Sequence, residues 1–130
     1  MIYPGIDIER TKRNTEVVLK GIKQIFGMNL YSFQCDISSH NIGEIDFDQN
    51  LIIHCPTKYD KVIHSVLRAV NLLDWNEKYI FIQHFVYGIS LSDLKVGRKC
   101  ELEISNVYCH YQRLIKNIGL LVSEFIEYRE

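Results

Sequence analysis

Two groups of basic side chains are the residues of this sequence best suited to bind a polyanion. Five basic residues stand against two acidic ones from Glu9 to Lys23, and the same numbers recur from Lys95 to Lys116. The basic members are Arg10, Lys12, Arg13, Lys20 and Lys23, then Lys95, Arg98, Lys99, Arg113 and Lys116. Phosphate contacts need local cations, so a net charge of −1 does not exclude nucleic acid. The two basic groups are separated by an acidic middle that contains Asp36, Glu44, Asp46 and Asp48. Folding would have to bring both basic groups to one face of the protein.

Metal binding and catalysis have much weaker support in the sequence. A zinc site would need Cys35, His40, His54 and Cys55, but their spacing fits no common ligand pattern. The adjacent His54 and Cys55 lie in a strand-like run, where neighbouring side chains point to opposite faces. The sequence has no nucleophile–base motif, Gly-rich phosphate loop or carboxylate constellation. We therefore expect neither a metal nor a cofactor, and no enzymatic activity.

The composition predicts a folded, cytoplasmic protein. Hydrophobic residues make up 47% of the 130 residues and charged residues 24%, which is typical of a chain with a real core. No apolar run approaches the ~20 residues of a membrane span, and the first residues do not resemble a signal peptide. The four cysteines show no CxxC spacing, which favours reduced thiols.

The N-terminal part, residues 1–56, is predicted to be one helix followed by a strand-like or irregular segment. Asp7 is a candidate N-cap, and Gly27 is a candidate stop for a helix over about 8–26. The apolar stripe of this helix is Ile8, Thr11, Thr15, Val18, Ile22, Ile25 and Phe26. Residues 31–37 alternate at period two, and residues 45–53 would supply a return strand. The pattern predicts a small β-hairpin or, alternatively, an irregular segment packed by its aromatic residues.

Residues 57–130 are predicted to form a helical bundle. Three capping-box pairs open successive helices, namely Thr57 with Asp60, Asp74 with Glu77 and Ser90 with Asp93. The expected helices cover about 57–73, 75–87, 91–101 and 104–128, with Gly88 ending the second. The buried face of the last helix is predicted as Val107, Tyr111, Leu114, Ile118, Leu121, Val122 and Phe125. The fold class is therefore mainly α.

The last two helices match the residue types of a helix-turn-helix, at about residues 91–116. Such a unit needs an apolar and a small residue where the helices cross, and an apolar anchor about ten positions later. Val96 and Gly97 fit the crossing point, and Val107 fits the anchor. Cys100 and Leu102 flank the turn, and Glu101 occupies the turn position where glycine is favoured. Helical hairpins without a role in DNA binding can match the same pattern.

The chain also resembles a known family, the ArpU/RinA-like transcriptional regulators of late genes in phages and prophages of Gram-positive bacteria. The resemblance rests on four stretches: residues 8–14, residues 67–73, residues 76–90, and Val96-Gly97 with Val107-Tyr108. These regulators carry a C-terminal module like region 4 of sigma-70 factors. The resemblance implies a DNA-binding late-gene activator, acting on packaging, morphogenesis or lysis genes in a bacterial host cell.

The resemblance also implies which side chains meet DNA. By position, the base-contacting residues are Ser105, Asn106, Tyr108, Cys109 and Gln112. The phosphate-contacting residues are Arg98, Lys99, Arg113 and Lys116. Asn and Gln amides can bond adenine edges bidentately, whereas phosphate contacts position the protein without reading sequence.

The expected partners are double-stranded DNA at a late promoter, RNA polymerase and a second copy of the chain. A homodimer would read two half-sites, and Trp75, Phe81 and Phe85 are candidates for its interface. The alternative function is a sigma-like protein-interaction module, an adaptor or anti-activator that binds another regulator or RNA polymerase. The acidic balance, including Glu101 and Glu103, favours this alternative.

Overall fold

The structure is a computed structural model that describes residues 5–38, 40–96 and 106–129. It is mainly helical, with one two-stranded antiparallel sheet, as the sequence predicts. Its elements are α1 (Ile8–Gly27), β1 (Tyr31–Phe33), β2 (Leu51–Ile53), α2 (Asp60–Asn71), α3 (Trp75–Ile80), a π-helical segment (Phe81–Val86), α4 (Leu91–Val96), α5 (Val107–Leu121) and a 3₁₀ turn (Ser123–Phe125).

Helix α1 begins where its capping residue predicts. The Asp7 carboxylate accepts a hydrogen bond from the Arg10 backbone N–H at 3.1 Å. Leu19, which the predicted stripe omitted, is fully buried, while Ile8 and Val18 are only half-buried. The helix ends at Gly27, but the left-handed residue that turns the chain is Asn29, with φ of 58°. Asparagine tolerates this conformation better than most non-glycine residues.

The predicted hairpin is confirmed, but its strands are short. Tyr31 pairs with Ile53 and Phe33 with Leu51, so each strand has three residues. The long connection between them is fastened to α2 by side chains instead of by a longer ladder. Asp48 lies 2.6 Å from His64 Nδ1 and 3.6 Å from an Arg68 guanidinium nitrogen. Asp48 of the acidic middle is therefore held against α2.

Helices α2 and α3 begin with different caps. At α2, Thr57 N–H donates to the Asp60 carboxylate at 3.1 Å, and the helix starts at Asp60 instead of 57. At α3, both halves of the predicted capping box between Asp74 and Glu77 are present. The helix continues through the π-helical segment and ends before Gly88, whose φ is 74°. The predicted stop at Gly88 is thus confirmed.

Helix α5 ends earlier than predicted. It begins at Val107 and ends at Leu121, because Val122 adopts extended dihedrals. Leu121 was predicted to be buried but is 49% exposed. The chain beyond it turns back onto α1, where Asp7 N–H donates to the Glu127 carbonyl at 2.8 Å and Asn14 donates to the Phe125 carbonyl at 3.1 Å. These bonds to α1 replace a further helical turn.

Helix α5 lies at the centre of the fold and packs against α1, α2, α3, α4 and the 3₁₀ turn. The hydrophobic cluster runs from Leu19 to Phe125, so both predicted segments of the chain contribute to it. Phe81 and Phe85 are completely buried, so they are not available for the dimer interface suggested for them. Trp75 is half-buried and stacks on Tyr79 with ring centroids 5.1 Å apart.

Tyr31 joins the sheet to the start of α2 and is expected to set a pH dependence of stability. Its hydroxyl donates to Asp60 Oδ1 at 2.7 Å, and this bond is the main reason that the pKa of Asp60 is lowered. Burial raises the pKa of Tyr31 to about 12, so the hydroxyl remains a donor. Because the folded state favours the ionised Asp60, this stability is present above the unfolded pKa and is lost as pH falls through the folded one.

We expect Tyr31→Phe to lower the free energy of unfolding by about 1 kcal/mol at neutral pH, the usual value of one hydrogen bond. The carboxyl resonance of Asp60, followed by NMR against pH, should move its pKa towards the ordinary value. Tyr128→Phe is the matched control, since Tyr128 is 63% exposed. An unchanged Asp60 titration in Tyr31→Phe would contradict this assignment.

Candidate nucleic-acid interface

One side of α5 faces solvent along most of the helix. Tyr108, Cys109, Gln112, Arg113 and Lys116 are all exposed. At 100° per residue these five positions fall within an arc of about 140°, and they form a single stripe. We call these five residues the α5 stripe. The opposite side is buried, with Val107, Tyr111, Leu114, Ile115 and Ile118 in the core.

The α5 stripe is positively charged. Helix α5 contains no aspartate or glutamate, and its charged residues are Arg113 and Lys116. Neither forms an ion pair within residues 5–38, 40–96 and 106–129. Within that part of the chain, no acidic side chain competes with an outside anion for either cation.

The other residues that the sequence placed at this surface have different outcomes. Asn106 is half-buried and stands immediately before α5, at its N-cap position. Val107, the predicted anchor, is fully buried. Arg98, Lys99 and Ser105 lie outside the described residues, as do Gly97, residues 100–103 and the side chain of Val96. The crossing of Val96, Gly97 and Val107 therefore stays a prediction.

Aromatic packing holds the N-terminal half of α5 in place. Tyr111 stacks on Phe85 with centroids 6.1 Å apart and meets the edge of His84 at 5.7 Å. Its hydroxyl donates to Glu16 of α1 at 2.7 Å. Burial, and then the Glu16 carboxylate, raise the pKa of Tyr111, so the hydroxyl stays protonated. Burial also lowers the pKa of His84, which keeps this ring neutral at physiological pH.

A second polar contact holds the C-terminal half of α5. Asn117 Nδ2 donates to Glu77 Oε1 at 3.0 Å, and the other carboxylate oxygen of Glu77 accepts from the Asp74 backbone N–H at 3.4 Å. Burial, and then the charge of Asp74, raise the pKa of Glu77. The start of α3 is thereby tied to α5 beside the exposed stripe.

Helix α1 borders the α5 stripe, which the sequence alone did not reveal. The contact between Glu16 and Tyr111 joins residues far apart in the chain. Lys12, Lys20 and Lys23 lie on the same side of α1 as Glu16, as the helical repeat requires. Arg113 and Lys116 of the second basic group thus lie on a helix that neighbours the basic residues of α1.

Metal binding is the other chemistry that the sequence raised, at Cys35, His40, His54 and Cys55. Within residues 5–38, 40–96 and 106–129, His, Cys, Asp and Glu do not form a group of three or more that would suit a metal ion. Ser32 Oγ lies 2.6 Å from His54 Nε2, at an exposed position beside the hairpin. None of the described helices combines the length and the apolar character needed to cross a membrane.

Comparison with known proteins adds no relative. No protein-family model, no curated protein and no solved structure matches the chain.

Proposed function

We propose that this chain is a DNA-binding transcription regulator and that the α5 stripe enters the major groove of double-stranded DNA. The observation that carries the proposal is a solvent-facing, acid-free stripe on a helix whose opposite side is anchored in the core. The major groove of B-DNA is wide enough to admit one α-helix. A helix held this firmly presents its outer side chains to the duplex with little loss of conformational entropy.

The stripe carries both kinds of side chain that such an interface needs. The Gln112 amide has a donor and an acceptor and suits the edge of adenine, as does Asn106 at the helix start. Tyr108 and Cys109 would complete the base-facing surface together with Ser105. Arg113 and Lys116 would bind phosphates, with Arg98 and Lys99 in the same role. Phosphate contacts supply affinity, while the amides supply sequence preference.

The resemblance to ArpU/RinA-like regulators names the DNA to test first. We propose a late promoter near the genes for packaging, morphogenesis or lysis as the target, with activation through RNA polymerase. A homodimer would place two copies of α5 on two half-sites and so multiply the specificity of one short helix. Sedimentation of the protein with and without a promoter duplex tests this stoichiometry directly.

Removing the two cations of the α5 stripe tests the DNA contact. We expect Arg113→Gln/Lys116→Gln to reduce the slope of log binding constant against log salt concentration by about 2, because each phosphate contact contributes about 0.9. The measurement is a fluorescence-anisotropy titration of a promoter duplex at several salt concentrations. A matched control is Lys58→Gln/Lys61→Gln, which removes two exposed charges from outside the stripe. Equal slopes for this variant, the stripe variant and the unmodified protein would contradict the proposal.

A protein-interaction module is the second candidate, and an apolar groove favours it. The groove, of about 510 Å³, lies between α1, α2 and the 3₁₀ turn and is lined by Val17, Val18, Tyr59, Val62 and Phe125 among others. Val17 is 68% exposed there. An adaptor or anti-activator would use such a surface to bind another regulator or RNA polymerase. Its binding would change little with salt, whereas DNA binding weakens steeply.

A further inference from the structure

The side of α1 that borders α5 carries three lysines, which we call the lysine edge: Lys12, Lys20 and Lys23. At 100° per residue they fall within an arc of about 80°, together with Glu16. Glu16 accepts the hydrogen bond of Tyr111 at 2.7 Å, so this side of α1 adjoins α5. Tyr111 itself lies one helical turn from Tyr108 of the α5 stripe.

Most of the charge on the lysine edge is uncompensated. Lys20 lies 3.9 Å from Glu16, whose other carboxylate oxygen already accepts the Tyr111 hydroxyl. Lys12 and Lys23 have no ion pair among the residues that the structure describes. Lys23 is close enough to His84 to add to the lowering of its pKa, and His84 contacts Tyr111. Both lysines thus add positive charge on the helix that adjoins α5 at Tyr111.

We infer that the lysine edge binds the phosphate strand beside the groove that α5 enters. This inference rests on the proposed DNA binding and adds a second element to the interface. Eleven helical positions separate Lys12 from Lys23, or about 16 Å of helix axis. That length spans roughly five base-pair steps at about 3.4 Å each. A lysine ammonium is a compact point charge on a flexible stem, which suits a phosphate better than the edge of a base.

The test is a salt series with Lys12→Gln/Lys23→Gln in the full chain and a random-sequence DNA duplex as the probe. Non-specific binding is almost entirely electrostatic, so we expect the salt slope to fall by about 2 with this probe. Lys58→Gln/Lys61→Gln is the matched control and should keep the slope of the unmodified protein. Lys12 and Lys23 are half-buried, whereas Lys58 and Lys61 are exposed, so thermal melting checks that each variant retains the fold.

The outcomes separate the inference from the proposed function. If the lysine-edge variant keeps the full slope while Arg113→Gln/Lys116→Gln lowers it, the inference is wrong and DNA binding by α5 stands. If both charge-pair variants lower the slope and the control does not, the inference holds. If the unmodified protein does not bind the duplex at any salt concentration, both proposals are overturned.

Discussion

Replacing Phe85 with alanine is expected to lower the free energy of unfolding by about 3–5 kcal/mol, the usual range for a buried aromatic residue. Phe85 is completely buried and stacks on Tyr111 of α5, with a second aromatic contact to Phe81 at 5.6 Å. Its loss leaves a cavity between the π-helical segment and α5 that the surrounding rings cannot fill. Urea unfolding followed by circular dichroism measures the change.

The control for Phe85→Ala is Leu72→Ala, a large hydrophobic residue that is 73% exposed. Its effect should stay within about 0.5 kcal/mol, as for most surface substitutions. A Phe85→Ala protein within about 1 kcal/mol of the unmodified chain would show that α5 does not depend on this aromatic packing. In that case the rigid support that the DNA-binding proposal assumes for α5 would be absent.

Local chemistry made the helix boundaries with clear caps predictable. The carboxylates of Asp7 and Asp74 satisfy backbone N–H groups within their own first turn, so no distant residue is needed to define those starts. Gly88 ends its helix because a positive φ costs glycine little. Each of these signals acts over three or four residues, which is the range that a sequence pattern shows directly.

The ends of helices and strands that depend on tertiary contacts were predicted less well. The helical repeat continues past Leu121 to Phe125, yet hydrogen bonds from Asn14 and Asp7 hold the last residues against α1. The hairpin strands have only three residues each, and Asp48 in the connection between them bonds to α2. The π-helical segment has no local sequence signal that we recognise. At the end of α5 and in the hairpin connection, the bonded partners are distant in the sequence.

The candidate site also has one part that the sequence predicts and one part that it does not. The exposed side of α5 follows from its helical repeat, because the residues opposite the apolar face must meet solvent. Which helix lies beside that face does not follow from periodicity. The bond between Glu16 and Tyr111, separated by 95 positions, brings the lysine edge next to α5, and only the folded chain shows it.

The crossing of α1 and α5 carries the second large expected effect. Thr11 and Thr15 of α1 are both buried at this crossing, and Gly119 of α5 packs directly against them. A Cβ atom at position 119 would lie 2.6 Å from Thr15 Oγ1 and 3.0 Å from Thr11 Cγ2. The threonines are held in place, since Thr15 Oγ1 donates to the Thr11 carbonyl at 2.8 Å and Thr11 Oγ1 accepts from Glu127 N–H at 3.0 Å.

We expect Gly119→Ala to destabilise the protein by about 2 kcal/mol, because overpacking typically costs about 1–3 kcal/mol. The direction of this change in stability is informative, because alanine in an ordinary helix position is favoured over glycine by about 1 kcal/mol. Gly27→Ala at the end of α1 is the matched control. A Cβ there meets nothing within 4 Å, so the variant should be neutral or slightly stabilised.

A double-mutant cycle shows whether the two helices meet at this point. Thr15→Ala removes the nearest atom to the added methyl group, so Gly119→Ala should cost much less in a Thr15→Ala background than alone. The coupling energy between the two substitutions should then be about 1–2 kcal/mol, as for residues in contact. Strict additivity of the two effects would mean that α1 and α5 do not cross at Gly119. The lysine edge would then lose its place beside the α5 stripe.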